Sequence, residues 1–358
     1  MKLKIFIISN LYPSQKNISY GTFIKNLNDG LVRSGIEISS TSLIRGRGKY
    51  FIEKITKYFK FYLSIIYNTL RHNYDIIYIH YPIYTIIPFL LLLPIIKKPI
   101  VLNFHGNDVF TYTKFAYLLQ RLSIPLINKA HTIVVPSNYF KKIVMSKFTV
   151  SEDKIFVSPS SGVDMKMFNY MPKLKNNNRF TLGFVGRIEG GKGWEVLLHS
   201  LNDLKTRIPN IYCLIAGEGK LVPEMKKMIM QNNLGNIVNY VGPIHQHDLN
   251  QFYNKLDLFI FPTYLNESLG LVGIEALACG TPIVCSKIGG LIEYVINGEN
   301  GYYFEPNNYK QLADKIYYLF KNNNVLLSLK TNTRKSVERY DQDLVIKNII
   351  LKLYEISK

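Results

Sequence analysis

Cysteine is scarce in this sequence: only Cys213, Cys279 and Cys285 occur among its 358 residues. Their spacing is not that of a metal site, and any pairing would leave one cysteine over. We therefore expect the protein to work in a reducing compartment. The apolar run before Ser9 is too short for a signal peptide, which favours a cytoplasmic location.

Acidic residues are also few, since 25 Asp and Glu face 44 Lys and Arg, for a net charge of +19. The excess is concentrated in residues 1–170, which hold 22 basic and 8 acidic residues. This imbalance predicts an anionic partner, such as a membrane surface, nucleic acid or a phosphorylated acceptor. A lysine-rich surface that is simply solvated is the alternative. Nucleic acid is disfavoured because the lysines are scattered and no recognition motif accompanies them.

Apolar runs long enough to cross a bilayer are lacking. Residues 83–96 are strongly apolar, but the run is too short and is interrupted by Pro88 and Pro94. We predict a buried helix or a membrane-dipping segment there. Residues 50–72 form a predicted helix in which aromatic residues interleave with lysines, as in surface helices that touch lipid. An ordinary helix with one face on a sheet is the alternative.

The sequence is rich in alternating strand and helix patterns, and the series occurs twice. A hydrophobic content of 47% and a charged content of 19% are typical of a globular protein. We predict an α/β fold of two facing, doubly wound Rossmann-like domains, residues 1–170 and 171–340. Residues 341–358 are predicted to form a helix that packs back on the first domain. The polar segment 171–178 is the predicted linker.

The stretch 262–290 organises the second domain. We predict a strand before it and, within it, a helix that begins near Leu269 or Gly270 and ends at 279–280, where Gly supplies the C-terminal turn. The helix N-terminus would then lie at the carboxyl end of a strand, where open α/β sheets bind ligands. The N–H groups of residues 268–271 would offer a phosphate site.

Two glutamates flank this predicted phosphate site. Glu267 precedes the helix and Glu275 lies in its second turn, with seven residues between them. A sugar and a ribose could each meet one of these carboxylates.

The segment GRIEGGKG, residues 186–193, matches the start of a P-loop but departs from it at the end. Gly193 stands where the P-loop has Ser or Thr, so the magnesium of an NTPase would lose a ligand. What remains is Arg187 and Lys192 after a predicted strand. Two such cations suit a diphosphate, because arginine offers a planar fork and lysine a point charge.

Other motifs carry weaker signals. Residues 216–219, AGEG, lack the third glycine of a dinucleotide fingerprint and predict only a tight strand-to-helix turn. His105 ends a predicted strand, and such a histidine is on its own more often structural than catalytic. His245 and His247 lie in a predicted loop with no carboxylate at ligand spacing, so we predict no metal site.

Together these motifs resemble the retaining family 4 (group 1) glycosyltransferases, which have the two-domain GT-B architecture. The resemblance is specific in the second half, where it comprises GRIEGGKG, AGEGKL, NYVGPI and the stretch from DLFIFPT to NGENG. It is looser in the first half, where it comprises YPSQKNISYGTF, HYP, NFHGNDV, VPSNYF and SGVDMKMF. It covers nearly the whole chain.

The resemblance implies a donor diphosphate site. Arg187 and Lys192 would neutralise the diphosphate, and the loop around Gly21 would approach it. Backbone N–H groups at the helix start would hold the distal phosphate; they belong to Ser268, Leu269, Gly270 and Leu271. The family commonly has EGFG where this chain has ESLG, so Ser268 restricts the backbone at the first glycine position.

The resemblance also implies contacts to the rest of the donor. Glu275 would bind the ribose hydroxyls, Glu267 a hydroxyl of the transferred sugar, and His105 would face that sugar and the reaction centre. The resemblance implies same-face attack with help from the leaving phosphate, so no protein nucleophile is assigned and Glu267 is only the weaker alternative for one. The loop 240–244 would lie against the base, through Val241, Gly242, Pro243 and Ile244.

The implied function is a retaining, hexosyltransferase-type glycosyltransferase that needs no cofactor and no metal. Its donor would be a nucleotide-sugar, UDP- or GDP-linked, and its acceptor a glycan or polyprenyl-linked glycan of cell-surface polysaccharide or glycolipid synthesis. The basic first half adds an expected anionic membrane surface, on the inner face of the cell membrane. A sugar-nucleotide 2-epimerase and a non-catalytic sugar-nucleotide-binding subunit of a membrane assembly are the alternatives.

Overall fold

The structure, a computed structural model, describes residues 2–17, 20–48, 50–111, 113–171 and 179–358. Two compact units make up the described chain. Unit 1 comprises the described residues up to Gly162 together with Gln342–Lys358, and unit 2 is Val163–Asp341. Apart from Met171, the predicted linker 171–178 lies outside the described residues.

Unit 1 is built on six parallel strands in the order β2-β1-β3-β4-β5-β6. The strands are β1 (Lys4–Tyr12), β2 (Glu37–Arg45), β3 (Ile76–His80), β4 (Ile100–Asn103), β5 (Thr132–Val135) and β6 (Ile155–Val157). The helices between them are α1 (Thr22–Arg33), α2 (Phe51–Arg71), α3 (Ile86–Leu92), α4 (Lys114–Leu122), α5 (Ile124–Lys129) and α6 (Asn138–Phe148). Short 3-10 helices occupy Pro82–Thr85 and Glu152–Lys154.

The inner strands of unit 1, β1, β3, β4 and β5, are mostly apolar and buried because both faces of the sheet are covered there. Side chains alternate along a strand, so Phe6 and Ile8 of β1 enter one core while Ile5 and Ile7 enter the other. All five residues of β3 are buried. This arrangement confirms the predicted α/β class for the first half.

Prolines limit two helical segments of unit 1. The segment 114–129 forms two helices, α4 and α5, because Pro125 in the first turn of α5 cannot donate a hydrogen bond to the preceding turn. In the apolar run 83–96 the helix α3 ends at Leu92, two residues before Pro94. Among the described residues, no helix is both long and apolar enough to cross a bilayer.

Unit 2 also contains six parallel strands, in the order β12-β11-β10-β7-β8-β9. They are β7 (Phe180–Val185), β8 (Ile211–Ala216), β9 (Val238–Gly242), β10 (Leu258–Phe261), β11 (Ile283–Ser286) and β12 (Gly301–Phe304). The helices are α7 (Trp194–Leu204), α8 (Val222–Gln231), α9 (Gln246–Asn254), α10 (Leu271–Ala278), α11 (Tyr309–Lys321) and α12 (Asn323–Val337). Short 3-10 helices occupy Gly289–Glu293 and Glu338–Tyr340.

The strand order of unit 2 reverses beside β7. From this first strand the chain proceeds to β8 and β9 on one side, and then returns to place β10, β11 and β12 on the other. The loops after β7 and β10 therefore diverge from neighbouring strands at a topological switch point, where open α/β sheets bind ligands.

The boundary between the units differs from the predicted one at residue 170. Val163 already belongs to unit 2, because its N–H donates to the carbonyl of Tyr340 at 2.8 Å. Met165 and Phe168 follow it into the core of that unit. The sequence placed the boundary later because the first conspicuously polar segment begins only near residue 171.

The C-terminal helix α13 (Gln342–Ile356) belongs to unit 1 and packs beside α1. Gly30 of α1 allows this close packing, since a Cβ there would lie 1.9 Å from the terminal methyl of Ile346. The buried residues Val345, Ile346 and Ile349 join one of the two cores of unit 1.

Candidate functional site

Two loops of unit 2 meet at the switch point and are fixed to each other. They are residues 186–193 after β7 and residues 262–270 after β10. The carbonyl oxygen of Gly191 accepts a hydrogen bond from the backbone N–H of Tyr264 at 2.9 Å and another from the Thr263 hydroxyl at 3.1 Å. The glycine-rich segment 186–193 and the start of the stretch 262–290, which the sequence presented as separate motifs, are therefore held together by hydrogen bonds.

Gly193 makes this close contact possible. It has a φ of 78°, and a Cβ built on it would lie 1.8 Å from the carbonyl oxygen of Pro262. The glycine that breaks the P-loop pattern in the sequence is thus required by the packing of the two loops.

Lys192 and Glu267 form an ion pair across these loops. The lysine Nζ lies 2.5 Å from the glutamate Oε1, and the two side chains are only 17% and 16% exposed. The Thr263 hydroxyl lies 3.3 Å from the same carboxylate oxygen and shares its single hydrogen between this oxygen and the carbonyl of Gly191. The predicted diphosphate cation and the predicted sugar carboxylate are therefore brought together, a contact that the sequence did not predict.

Arg187 is paired as well, but in a more exposed setting. Its Nη1 lies 2.7 Å from Oε2 of Glu189, and the side chains are 46% and 30% exposed. Water reaches this pair more easily than the pair of Lys192, so its interaction is more strongly screened.

The helix α10 begins at Leu271, close to the predicted start. Gly270 precedes it with a φ of 83°, and its carbonyl accepts a hydrogen bond from the Tyr294 hydroxyl at 3.0 Å. The side chain of Leu269 is buried, so this residue offers only its backbone. Backbone N–H groups at this end carry the positive pole of the helix dipole.

Glu275 lies in the second turn of α10 and is only 8% exposed. Its Oε2 accepts a hydrogen bond from the Tyr253 hydroxyl at 2.9 Å. Burial raises the pKa of the Glu275 carboxyl to about 7, while the hydrogen bond from Tyr253 acts in the opposite direction. Further donors, such as sugar hydroxyls, would stabilise its charged form.

The loop predicted to lie against a base is joined to the AGEG turn. The N–H of Gly217 donates to the carbonyl of Gly242 at 2.9 Å, and the Tyr240 hydroxyl donates to the carbonyl of Gly217 at 2.8 Å. Val241 is exposed beside this junction. Pro243 and Ile244 continue the same loop towards α9.

His105 follows β4 at the carboxyl edge of the sheet of unit 1. Its Nε2 lies 2.9 Å from Nδ1 of His80, and the rings of Phe23 and Tyr81 lie 4.9 and 4.7 Å away between centroids. Burial lowers the pKa of His80 to about 3 and lowers the pKa of His105 well below its ordinary value. Both imidazoles are therefore neutral at neutral pH.

Two further groups shape the same edge of unit 1. The Asp108 carboxylate accepts hydrogen bonds from the N–H groups of His105 and Gly106, at 3.0 and 2.8 Å, and so fixes the turn. Gly21 immediately precedes α1 with a φ of 81°, and a Cβ there would lie 2.8 Å from the carbonyl oxygen of Leu11.

Several residues of these sites were missed from the sequence. Thr263, Tyr253, His80 and Asp108 support the predicted residues through contacts that span up to 72 residues of chain, which no spacing rule reveals. Thr263, His80 and Asp108 were signalled only by their positions near strand ends and within the motifs, whereas Tyr253, inside α9, carried no signal. Within the part of the chain that the structure describes, no group of three His, Cys, Asp or Glu could hold a metal ion.

Two family models match most of the chain. The model described as "Glycosyl transferases group 1" matches residues 168–336, and the model described as "Glycosyltransferase Family 4" matches residues 21–165. The two matches correspond closely to the two structural units.

Curated relatives carry glycosyltransferase names. The capsular polysaccharide biosynthesis glycosyltransferase CapM of Staphylococcus aureus is 29% identical over 68% of this chain and 67% of its own length. The 2-deoxystreptamine N-acetyl-D-glucosaminyltransferase of Niallia circulans is 25% identical over 76% of this chain and 74% of its own length.

Solved structures share the fold across almost the whole chain. HepE of Anabaena, in complex with UDP-glucose, superposes with a TM-score of 0.79 at 18% identity, over 99% of this chain and 100% of that chain. Sucrose-phosphate synthase of Thermosynechococcus elongatus superposes with a TM-score of 0.80 at 18% identity, over 99% of each chain.

Proposed function

We propose a specific reaction on the premise that this chain belongs to the group 1, family 4 glycosyltransferases. As a glycosyltransferase, it would move a hexose from a nucleoside diphosphate sugar to a glycan or lipid-linked acceptor, with retention of the anomeric configuration. The observation that carries this proposal is the meeting of Lys192, Glu267 and the start of α10 at the switch point of unit 2.

The proposed chemistry depends on the charge of the leaving diphosphate. Breaking the bond between the anomeric carbon of the sugar and the diphosphate oxygen places negative charge on the phosphate. Hydrogen-bond donors and cations that are already fixed around this phosphate stabilise the transition state. Lys192, Arg187 and the N–H groups of residues 268–271 can supply that positive potential, so the proposal needs no metal ion. Gly21 of unit 1 is proposed as a further backbone contact to the donor.

Retention is proposed to proceed by attack on the face from which the diphosphate leaves. The departing phosphate would then take the proton of the acceptor hydroxyl, and no protein nucleophile is needed. Glu267 would orient a hydroxyl of the transferred sugar. His105, being neutral, would act as a hydrogen-bonding group towards that sugar and would carry no charge.

Glu275 is the proposed ribose ligand. Its buried carboxylate has one donor in Tyr253, and two ribose hydroxyls would add donors that favour the charged form. The loop 240–244 would lie against the base. UDP is the first nucleotide to test, because HepE, which shares the fold, is known in complex with UDP-glucose.

A thermal-unfolding panel tests the donor class. UDP, GDP and ADP and their glucose or mannose conjugates are added to the full chain, and binding raises the unfolding temperature by mass action. We expect the nucleotides of one base to raise the unfolding temperature of the wild type clearly, and Glu275→Ala to abolish this increase. The absence of any shift with all of these nucleotides would contradict the proposal.

We further propose that unit 1 docks on an anionic membrane, near a lipid-linked acceptor. Apolar residues that are exposed on α2 recur every three or four positions, and three exposed or half-exposed lysines lie among them. The apolar residues are Ile52, Ile55, Phe59, Leu63, Tyr67 and Leu70, and the lysines are Lys54, Lys57 and Lys60. A capsular polysaccharide enzyme among the relatives is consistent with such an acceptor.

The helix α3 packs against both α2 and α4 and extends this apolar surface. Leu90 and Leu91 of α3 are exposed, as are Phe115 and Leu118 of α4. Exposed apolar side chains on three helices that pack in sequence, α2, α3 and α4, are typical of an interaction surface.

Vesicle flotation tests the membrane proposal. We expect binding to vesicles that contain phosphatidylglycerol, weaker binding to pure phosphatidylcholine, and a clear loss for Leu63→Glu. Leu351→Glu on α13 is the matched control, because the two leucines are 50% and 59% exposed and both belong to unit 1. Equal flotation of the two variants would contradict docking through α2.

A further inference from the structure

The ion pair of Lys192 and Glu267 has a consequence for ligand selection that rests on the proposed function. We propose that Glu267 makes the site select the nucleotide-sugar over the free nucleoside diphosphate that the reaction releases. The mechanism is an exchange of ionic partners: a diphosphate must take Lys192 away from Glu267, and only a sugar hydroxyl can then replace the lysine at the carboxylate.

The geometry makes this exchange costly. The two side chains are in direct contact at 2.5 Å and both are largely withdrawn from water. An ion pair in such a setting is held by its partners, and removal of one partner leaves an uncompensated charge in a poorly solvated place. When a phosphate recruits Lys192, the carboxylate of Glu267 becomes that uncompensated charge.

The carboxylate cannot easily move away to find water. The main chain of Glu267 is fixed, because its carbonyl accepts a hydrogen bond from the N–H of Gly290 at 2.8 Å. The backbone of Gly289 is packed so closely that a Cβ there would lie 2.5 Å from the same carbonyl oxygen. After the exchange, the Thr263 hydroxyl remains 3.3 Å from the carboxylate, but its single hydrogen is shared with the Gly191 carbonyl at 3.1 Å.

A free diphosphate and a nucleotide-sugar therefore differ in what they offer to Glu267. The diphosphate brings more negative charge and no hydroxyl to the carboxylate, whereas a hexose attached to the distal phosphate carries hydroxyl donors. Those hydroxyls compensate the charge that Lys192 has left. The product is thus bound more weakly than the donor, which limits inhibition by the product.

The pair of Arg187 and Glu189 provides an internal contrast. It has a similar contact distance, 2.7 Å, and lies in the same loop as Lys192, but it is much more exposed. Water can solvate Glu189 when Arg187 turns to a phosphate, so this exchange costs little. Glu189→Gln is therefore a matched control that makes the same charge change.

Isothermal titration calorimetry on the full chain tests the inference. The probes are UDP with UDP-glucose, GDP with GDP-mannose and ADP with ADP-glucose, and the pair that binds the wild type most tightly is carried forward. In Glu267→Gln we expect the free diphosphate to bind on the order of tenfold tighter, since a competing carboxylate has been removed. In this variant, the dissociation constant of the free diphosphate divided by that of the nucleotide-sugar should fall from its wild-type value towards one. Glu189→Gln should change the ratio by less than about twofold.

The outcomes separate this inference from the proposed function. If the wild type binds a nucleotide pair but Glu267→Gln binds the free diphosphate no more tightly, the exchange is refuted and the proposed function stands. If no nucleotide binds the wild type, both are refuted. Should Glu267→Gln fail to fold, Glu267→Asp provides the same comparison, because its shorter side chain loosens the contact with Lys192 and should shift the ratio in the same direction.

Discussion

The carboxyl edges of the two sheets differ in charge, although each sheet has six parallel strands. In unit 2 the edge carries ion pairs, above all Lys192 with Glu267. In unit 1 the rings around His105 are neutral, because burial lowers the pKa of both histidines and raises the pKa of Tyr84 to about 12. The Asp108 carboxyl, whose pKa burial raises to about 7, is the acidic group beside them. The same architecture thus provides one edge suited to charge and one suited to neutral hydrogen bonding.

Under the proposed function, this difference would give the two units separate tasks. Stabilisation of a leaving diphosphate needs fixed positive charge, which Lys192 and Arg187 in the loop after β7 would provide. Neutral imidazole and phenol groups can orient a sugar or an acceptor, but they cannot balance a developing negative charge. We therefore expect changes in unit 2 to affect catalysis more than changes in unit 1.

The largest expected effect is that of Lys192→Ala. In the proposed mechanism it removes a charge-assisted contact to the leaving group, and we expect transfer to fall by about two to three orders of magnitude. The variant also leaves Glu267 unpaired, so its unfolding temperature should fall. The double variant Lys192→Ala/Glu267→Gln should recover stability but not transfer, as measured by thermal unfolding and product formation. Transfer near the wild-type rate in the single variant would contradict the role of the lysine.

The next effect concerns two buried carboxyls. Burial raises the pKa of Glu275 in unit 2 and of Asp108 in unit 1 to about 7. Because burial raises the folded-state pKa of Glu275 above its ordinary value of 4.5, the folded protein retains a proton that the unfolded chain has lost. Its contribution to stability is therefore lost as pH rises from about 4.5 to about 7.

Glu275→Gln removes this penalty, so we expect it to stabilise the chain by on the order of 2 kcal/mol at pH 8 and by little at pH 4.5. Asp108→Asn should stabilise less, because the hydrogen bonds that Oδ1 of Asp108 accepts from two backbone N–H groups lose their charge assistance when the carboxylate becomes an amide. Chemical denaturation at pH 4.5 and pH 8 measures the change in the free energy of unfolding for each of the two variants. A gain that is equal at pH 4.5 and pH 8 would show that the Glu275 carboxyl does not titrate in this range.

The smallest effect is expected for His105→Gln in unit 1. The substitution keeps a hydrogen-bonding side chain, and we expect a loss of transfer of about tenfold. Since His105 is neutral, the pH profile of transfer between pH 6 and 8 should keep the wild-type shape. An acidic limb near pH 6.5 that is present in the wild type and absent in the variant would reveal a titrating histidine.

The local elements of unit 2 could be predicted from the sequence. Gly280 and Pro282 mark the end of α10, and the apolar run before residue 262 marks β10, so the position of Glu267 and Glu275 around the helix start followed from short-range signals. The fold class followed from repeated alternation of strands and helices.

The partners of these residues could not be predicted. Lys192 and Glu267 are 75 residues apart in the chain, and Tyr253 and Glu275 belong to different helices. Such contacts depend on the strand order, which places β10 beside β7 and which a single sequence does not specify. The unit boundary was missed for a related reason, because Val163 is held by the distant Tyr340.

The most direct test of the account is calorimetric binding of UDP-glucose, or of whichever nucleotide-sugar shifts the unfolding temperature most, to the wild type and to Lys192→Ala/Glu267→Gln. The double variant removes the ion pair without leaving an unpaired carboxylate. If Lys192 binds the donor diphosphate, the wild type binds and the double variant loses at least about tenfold in affinity. Equal affinities would contradict the account, because the cation at the switch point would then have no part in holding the donor.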